Sequence, residues 1–307
     1  MRKKLKFKLY HTNLYKYIII IIFIILYLNT IYFLSSQKKV NQNSHYIFTF
    51  WEPHSSIPGY IKLCMKTWKK YIPNDYKIVV LNYYNIRKYL DFKTLKQIIC
   101  KQMSLAIQAD AIRVAILQKY GGIWMDADTI ITNSKFMNMF NGSDLIMFGH
   151  KCQRIGFIYA KTNSTILKIW LDNIIEKIRI YKYRFFLKII FPIKNFKDSF
   201  KKLLKWNYLG NMILEKIIKN VSQKDFKSIN ANDKYIFLED FFSKGSAYKR
   251  YNDFYFTSRD PEPILSKCNG IILLHNSWTP HKYKKMSSEE FILQNILLSR
   301  LLYRLLI

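Results

Sequence analysis

One stretch, Ser104–Asn133, constrains this chain more than any other. Its first half, SLAIQADAIRVAILQKY, carries Leu105, Ile107, Ala111, Val114, Ile116 and Leu117 near a 3.6-residue period. That period predicts a helix over Ser104–Tyr120 which buries most of its surface. Asp110 and Arg113 are three residues apart and share a face of that helix. Charged side chains on so apolar a segment need a partner or a task. Gly121-Gly122 stops the helix, because glycine reaches backbone angles closed to other residues. Ile123–Ile131 is β-branched and aromatic and is expected as one strand. On an extended backbone Asp126 and Asp128 point the same way. Two neighbouring carboxylates repel unless a cation lies between them, and hard divalent ions prefer such oxygen ligands. A D-x-D tripeptide alone arises by chance. A buried D-x-x-R helix, a Gly-Gly stop and an apolar strand running into D-x-D is far more specific.

The 307 residues, half of them apolar, suffice for one catalytic domain with additions. A formal net charge of +30 favours anionic partners: phosphates, an anionic membrane surface or nucleic acid. No nucleic-acid motif accompanies it, so no nucleic acid is expected as partner. Residues 1–16 are a basic tail, and Tyr17–Leu34 is an almost unbroken apolar run about long enough to span a bilayer. No small-residue cleavage site follows, which favours a retained anchor over a signal peptide. More positive charge precedes the run than follows it, so the amino terminus is expected in the cytosol. Residues 35–45 read as a linker, 46–290 as the catalytic domain and 291–307 as a carboxyl-terminal amphipathic helix, closing the fold or lying on a membrane. Cys64, Cys100, Cys152 and Cys268 lack metal or C-x-x-C spacing and are expected as buried thiols, with disulfides open outside the cytosol.

Strands are expected at Tyr46–Trp51 and Lys77–Leu81 around a helix at Tyr60–Tyr71, which implies an α/β domain with a largely parallel sheet. In such sheets ligands bind at the carboxyl ends of the strands, where Asp126 and Asp128 fall. Further strands are expected at Leu145–His150, Arg154–Thr162, Asp233–Phe241 and Tyr251–Phe256, and helices at Ile166–Ile178 and Met212–Asn220. Ile180–Trp206 mixes Lys and Arg with Phe, Ile and Leu and is broken at Pro192, two basic amphipathic segments suited to a membrane surface. Ile271–Trp278 reads as a buried strand ending in His275, Asn276, Ser277 and Trp278. A neutral imidazole there can complete a metal's coordination, and the Ser hydroxyl and Trp N–H can donate to phosphate. His281 is the weaker alternative ligand.

The Ser104–Asn133 stretch resembles the D-x-D region of a glycosyltransferase group with the GT-A fold. That group includes capsular polysaccharide synthesis proteins, yeast-type initiating mannosyltransferases and glucosylating clostridial toxins. The group's approximate pattern, S-D-x-x-R-x-x-x-L-x-x-x-G-G-x-Y-x-D-x-D, is met in register by Asp110, Arg113, Leu117, Gly121, Gly122, Asp126 and Asp128. It departs at Ala109, in place of Ser, and at Trp124, in place of Tyr. The opening strand with Trp51 and the His275–Trp278 element resemble the same group. The resemblance implies a Rossmann-like nucleotide-diphospho-sugar transferase behind one transmembrane helix. Its donor would be a UDP- or GDP-linked sugar, its acceptor a glycan or glycolipid hydroxyl, and its stereochemistry retaining. It implies Mn²⁺ or Mg²⁺ at Asp126 and Asp128, with His275 added. Trp51 would stack on the base, Asp110 and Arg113 would hold the donor sugar, and Asp126, Ser277 and Trp278 would touch the donor. A glycine near Gly210 would lie on the acceptor side. The setting would be a Golgi-type membrane in a eukaryote or the inner membrane in a bacterium. The rival readings are a decayed, metal-dependent sugar-binding protein, which the missing Ser at Ala109 fits, and a basic nucleic-acid binder.

Overall fold

The structure, a computed structural model, describes residues 45–140, 142–149, 153–190, 208–222, 224–230, 236–237, 246–268 and 270–307, with Ile20, Ile21 and Ile24. The expected anchor over 17–34 otherwise lies outside the described residues. Among the described residues no helix is long and apolar enough to cross a membrane.

The strands are β1 (His45–Phe50), β2 (Tyr76–Leu81), β3 (Gly122–Met125), β4 (Thr129–Ile131), β5 (Leu145–Gly149), β6 (Gln153–Ala160), β7 (Phe226–Asn230), β8 (Ile236–Phe237) and β9 (Ile271–Leu273). The principal helices are α1 (Gly59–Tyr71), α2 (Phe92–Ile98), α3 (Leu105–Tyr120), α4 (Thr165–Ile190), α5 (Asn211–Ile218), α6 (Ala247–Tyr255), α7 (Ser288–Ile292) and α8 (Leu297–Leu306). Six strands form one sheet in the order β2-β1-β3-β6-β5-β7, and β4-β9-β8 form a second. The pairs β1–β2, β1–β3 and β5–β7 are parallel, while β3–β6 and β5–β6 are antiparallel. The fold is therefore mixed α/β with a parallel-rich sheet, as the order of elements implied.

Because side chains alternate along a strand, the large sheet buries both faces. Phe48, Trp124, Met147 and Ile158 pack against Ala111, Val114, Leu117, Trp170 and Ile174 of α3 and α4. Ile47, Ile123, Met125 and Phe157 pack on the other face against Trp68 of α1, Phe136 and Ile271. A third cluster joins α1 to the carboxyl-terminal helices through Tyr60, Cys64, Tyr251, Tyr255, Phe291, Leu298 and Leu302. Cys64 and Cys100 are buried free thiols and Cys268 is buried; Cys152 lies outside the described residues.

Several expectations are corrected. Ile123–Ile131 is not one strand: pairing with β6 ends at Met125, and Thr129–Ile131 pairs with β9 in the second sheet. Tyr251–Tyr255 belongs to helix α6, with Phe256 at its carboxyl cap, because Ser246 caps its first turn and Tyr251 and Tyr255, four apart, bury on one side. Helix α4 continues past Ile178 because Tyr181 keeps the buried stripe of Ile174 and Ile178, leaving Ile180, Tyr183 and Phe186 exposed. The first expected amphipathic segment is thus the end of one helix, and the part beyond Pro192 lies outside the described residues. Of Asp233–Phe241 only β8 is described. The tail forms two helices, α7 with a capping box at Ser287 and Glu290, then α8. Leu297, Leu298, Leu301, Leu302 and Leu305 are buried, so this tail closes the core.

Candidate active site

The site begins where α3 hands over to β3. Ser104 caps the helix by accepting from the Ile107 N–H, and Gly121 and Gly122 end it at φ +64 and +89. A Cβ on Gly122 would stand 2.4 Å from the Tyr46 carbonyl oxygen, so this crossing of helix and sheet admits glycine alone. The short reversal drops β3 beside β1, parallel to it, and Asp126 follows the carboxyl end of β3 as Trp51 follows that of β1. That is the edge where parallel sheets bind ligands.

Arg113, on the buried face of α3, reaches across to this edge. Its Nη2 lies 3.1 Å from Asp110 Oδ1 and 3.3 Å from Asp126 Oδ1. Its Nη1 donates to the carbonyl of Ile155, its Nε to that of Ala109 at 3.5 Å, and its guanidinium lies 5.1 Å from the Trp124 ring centroid. Trp124 Nε1 donates to Asp126 Oδ1 at 2.9 Å. The side chains of Arg113 and Asp110 are 5% and 7% exposed, whereas that of Asp126 is 41% exposed. Two glycines leave room for the acids. A Cβ on Gly156 would meet Asp126 Oδ2 at 2.9 Å, and one on Gly210 would meet Asp110 Oδ2 at 2.9 Å. Burial, reinforced by the charge of Asp126, raises the Asp110 carboxyl to about 7 against the pull of Arg113.

Asp126–Asp128 forms a turn, closed by the Thr129 N–H donating to the Asp126 carbonyl at 3.0 Å. The two carboxylates therefore have different partners, not the common face of an extended strand. Asp128 is buried and accepts the Asn276 main-chain N–H at 2.6 Å. Burial and the charge of Asp126 raise its pKa. The loop that supplies this N–H follows β9. It is held by the Tyr251 hydroxyl, which accepts from the His275 N–H at 3.1 Å, and by the Tyr60 hydroxyl, which donates to Asn276 Oδ1.

The other expected site residues are placed as follows. Trp51 is half-buried against the Tyr60 cluster; its indole Nε1 is buried without a partner among the described residues. His275 packs against Trp278, ring centroids 4.3 Å apart, with Tyr251 edge-on at 5.7 Å. Burial and the charge of Arg154 lower its pKa to about 4, which leaves the imidazole neutral. Ser277 and His281 are exposed. Among the described residues no three His, Cys, Asp or Glu side chains gather as a metal-binding group, so His275 does not complete a cluster with Asp126 and Asp128. Its ring is engaged by Trp278 and Tyr251. Sequence reasoning missed Tyr60, Tyr251, Ile155 and Gly156; the contacts they make are long-range, and no local pattern announces them.

The family model described as "Capsular polysaccharide synthesis protein" matches residues 26–256. None of the curated proteins matches. Among solved structures, the chain is similar to PaToxG Glycosyltransferase at 17% identity, covering 63% of this chain and 76% of that one, with a TM-score of 0.37. It is similar to a glycosyltransferase involved in the glycosylation of the major capsid of PBCV-1 at 10% identity, covering 79% and 98%, with a TM-score of 0.39. A third is the glycosyltransferase GlyE of Streptococcus pneumoniae TIGR4, at 13% identity, covering 80% and 62%, with a TM-score of 0.37.

Proposed function

The chain belongs to the capsular polysaccharide synthesis protein family, and we propose that it is a glycosyltransferase moving a sugar from a nucleoside-diphosphate donor to a hydroxyl of a glycan or lipid-linked acceptor. The observation that carries this reading is the buried Arg113, bridging Asp110 to Asp126 at the carboxyl edge of β3. A domain of GT-A type, with the donor at that edge and Trp51 against its base, fits this arrangement.

The residues fit a divalent cation. Mg²⁺ and Mn²⁺ favour one or two carboxylates, with water and substrate phosphates completing the shell. Asp126 and Asp128 offer two carboxylates from one turn, and burial together with the charge of Asp126 raises the pKa of Asp128. When bound, the ion would offset the charge that develops on the departing diphosphate. Asp126, open on one side, would accept from ribose or sugar hydroxyls, and Asp110 would hold hydroxyls of the donor sugar. All three guanidinium nitrogens of Arg113 have protein partners, which supports an organising role for it, holding both acids in one arrangement. Ser277, exposed on the loop after β9, remains the donor we assign to phosphate, with Trp278 beside it. The anomeric configuration would be retained.

The basic tail and the apolar run at 17–34 support a single-pass anchor with a cytosolic amino terminus. Exposed Ile180, Tyr183 and Phe186, interleaved with Arg179, Lys182 and Arg184, support a second, shallow contact with anionic lipid. The test is a panel of UDP- and GDP-sugars with Mn²⁺ and purified full-length protein. Turnover of a donor, lost in EDTA and in Asp128→Asn with the fold intact, is expected. Binding of donors without any hydrolysis or transfer would favour the sugar-binding reading, and no binding at all would refute both.

A further inference from the structure

Tyr60 lies on α1, far in sequence from the acidic turn, and is fully buried. Its ring is packed by Phe291, centroids 5.6 Å apart. The hydroxyl adds something the packing does not require, since it donates to the side-chain oxygen of Asn276, 216 positions away. The main-chain N–H of that same residue holds Asp128 Oδ2 at 2.6 Å. Asp128 needs such a hold. Arg113 forms its ion pairs with Asp110 and Asp126, and no ion pair to Asp128 occurs among the described residues. The orientation of this carboxylate therefore depends on where the His275–Asn276 loop sits. Tyr251 fixes the loop at the His275 N–H, and Tyr60 fixes it at the Asn276 side chain.

We infer that Tyr60 is a positioning residue of the cation site: through Asn276 it keeps the Asp128 carboxylate in the orientation that takes a divalent ion. The inference rests on the function proposed above. It concerns a residue that touches neither donor nor ion, so its signature is a change in cation affinity.

The experiment is Mn²⁺ binding to detergent-solubilised full-length protein, read from the electron paramagnetic resonance signal of free Mn²⁺. Tyr60→Phe removes the hydroxyl and keeps the ring. Tyr71→Phe is the control, removing a hydroxyl of the same helix that donates to the Leu305 carbonyl at 2.8 Å. Tyr60→Phe is expected to weaken Mn²⁺ binding about tenfold, the effect of one hydrogen bond, while Tyr71→Phe leaves it unchanged. Equal losses of melting temperature in both variants with unchanged Mn²⁺ affinity would mean a purely structural hydroxyl and would overturn the inference. If Tyr60→Phe fails to fold, Asn276→Ala keeps the main-chain N–H and deletes Tyr60's partner. It must show the same weakening, and unchanged affinity there overturns the inference equally. Wild-type protein that takes up no Mn²⁺ would overturn this inference, while loss of donor turnover in EDTA judges the metal dependence proposed above separately. Binding by wild type with unaltered variants sinks the inference alone.

Discussion

Replacing Arg113 by lysine separates a charge from a planar fork. The guanidinium bridges two carboxylates at 3.1 and 3.3 Å, donates to the Ile155 carbonyl and lies against Trp124. A lysine ammonium can reach one of the two acids but cannot also span to the other, stack and serve Ile155. The part-buried Ile155 carbonyl left without its charged donor costs up to about 1–3 kcal/mol. The link to the partly exposed Asp126 is worth under about 1 kcal/mol. Removing one partner of a buried pair altogether costs about 3–5 kcal/mol, which sets the ceiling. Arg113→Lys is thus expected to cost about 2–3 kcal/mol and Arg113→Met about 4 kcal/mol. Urea unfolding of the purified full chain, followed by tryptophan fluorescence, measures both. Donor turnover per folded molecule should fall about a hundredfold in Arg113→Lys, because Asp126 loses its fixed position. A lysine variant within about 0.5 kcal/mol of wild type that still turns donor over would refute the organising role.

Gly156→Ala should keep the fold and lose most turnover, since its Cβ would stand 2.9 Å from Asp126 Oδ2; circular dichroism beside a donor assay distinguishes the two effects. Gly122→Ala should destabilise by at least about 2 kcal/mol in urea, because a positive φ and the Tyr46 carbonyl both oppose a side chain. His275 is depressed from 6.5 to about 4, so its contribution to stability is present above 6.5 and is lost as pH falls towards 4. His275→Gln should therefore lose less stability than wild type between those limits, as melting temperatures across the range would register. Full-length protein should stay in the membrane pellet through a carbonate wash; release like a peripheral protein would refute the anchor at 17–34.

Much of the fold was legible where apolar periodicity is strong. The helix over 105–120, the strands at 45–50 and 76–81 and the stop at Gly121-Gly122 follow from local pattern. Asp110 and Arg113 were legible as a pair because three-residue spacing on a helix fixes their side. What the pattern could not convey is that the strand into D-x-D changes sheets. Ile123–Met125 and Thr129–Ile131 are equally β-branched or apolar, and only the partners β6 and β9 decide where each pairs. The misreading of Tyr251–Phe256 has a related cause. Closely spaced aromatics look like a strand locally, yet Tyr251 and Tyr255 fit one helical face when a buried cluster awaits them. Tyr60 was unreadable because its partner is 216 residues away.

The change of sheet also bears on whether the site is a working one. Each departure from the family pattern is absorbed by contacts nearby. Trp124 supplies an indole N–H to Asp126 and a face to Arg113, and Ala109 serves Arg113 through its carbonyl, for which no hydroxyl is needed. A buried ion pair is a weak source of stability, since desolvation offsets much of its attraction. Asp110, held to about 7 by burial in spite of its arginine, illustrates that cost. Packing alone would be better served by apolar residues at positions 110 and 113. An arrangement that bears this cost, and reserves space for each acid at Gly156 and Gly210, fits a site whose charges act on something bound. A protein that bound nothing there would have no physical need for them. On that ground a ligand-binding site is preferred to a vestigial one, and donor turnover separates transfer from binding alone.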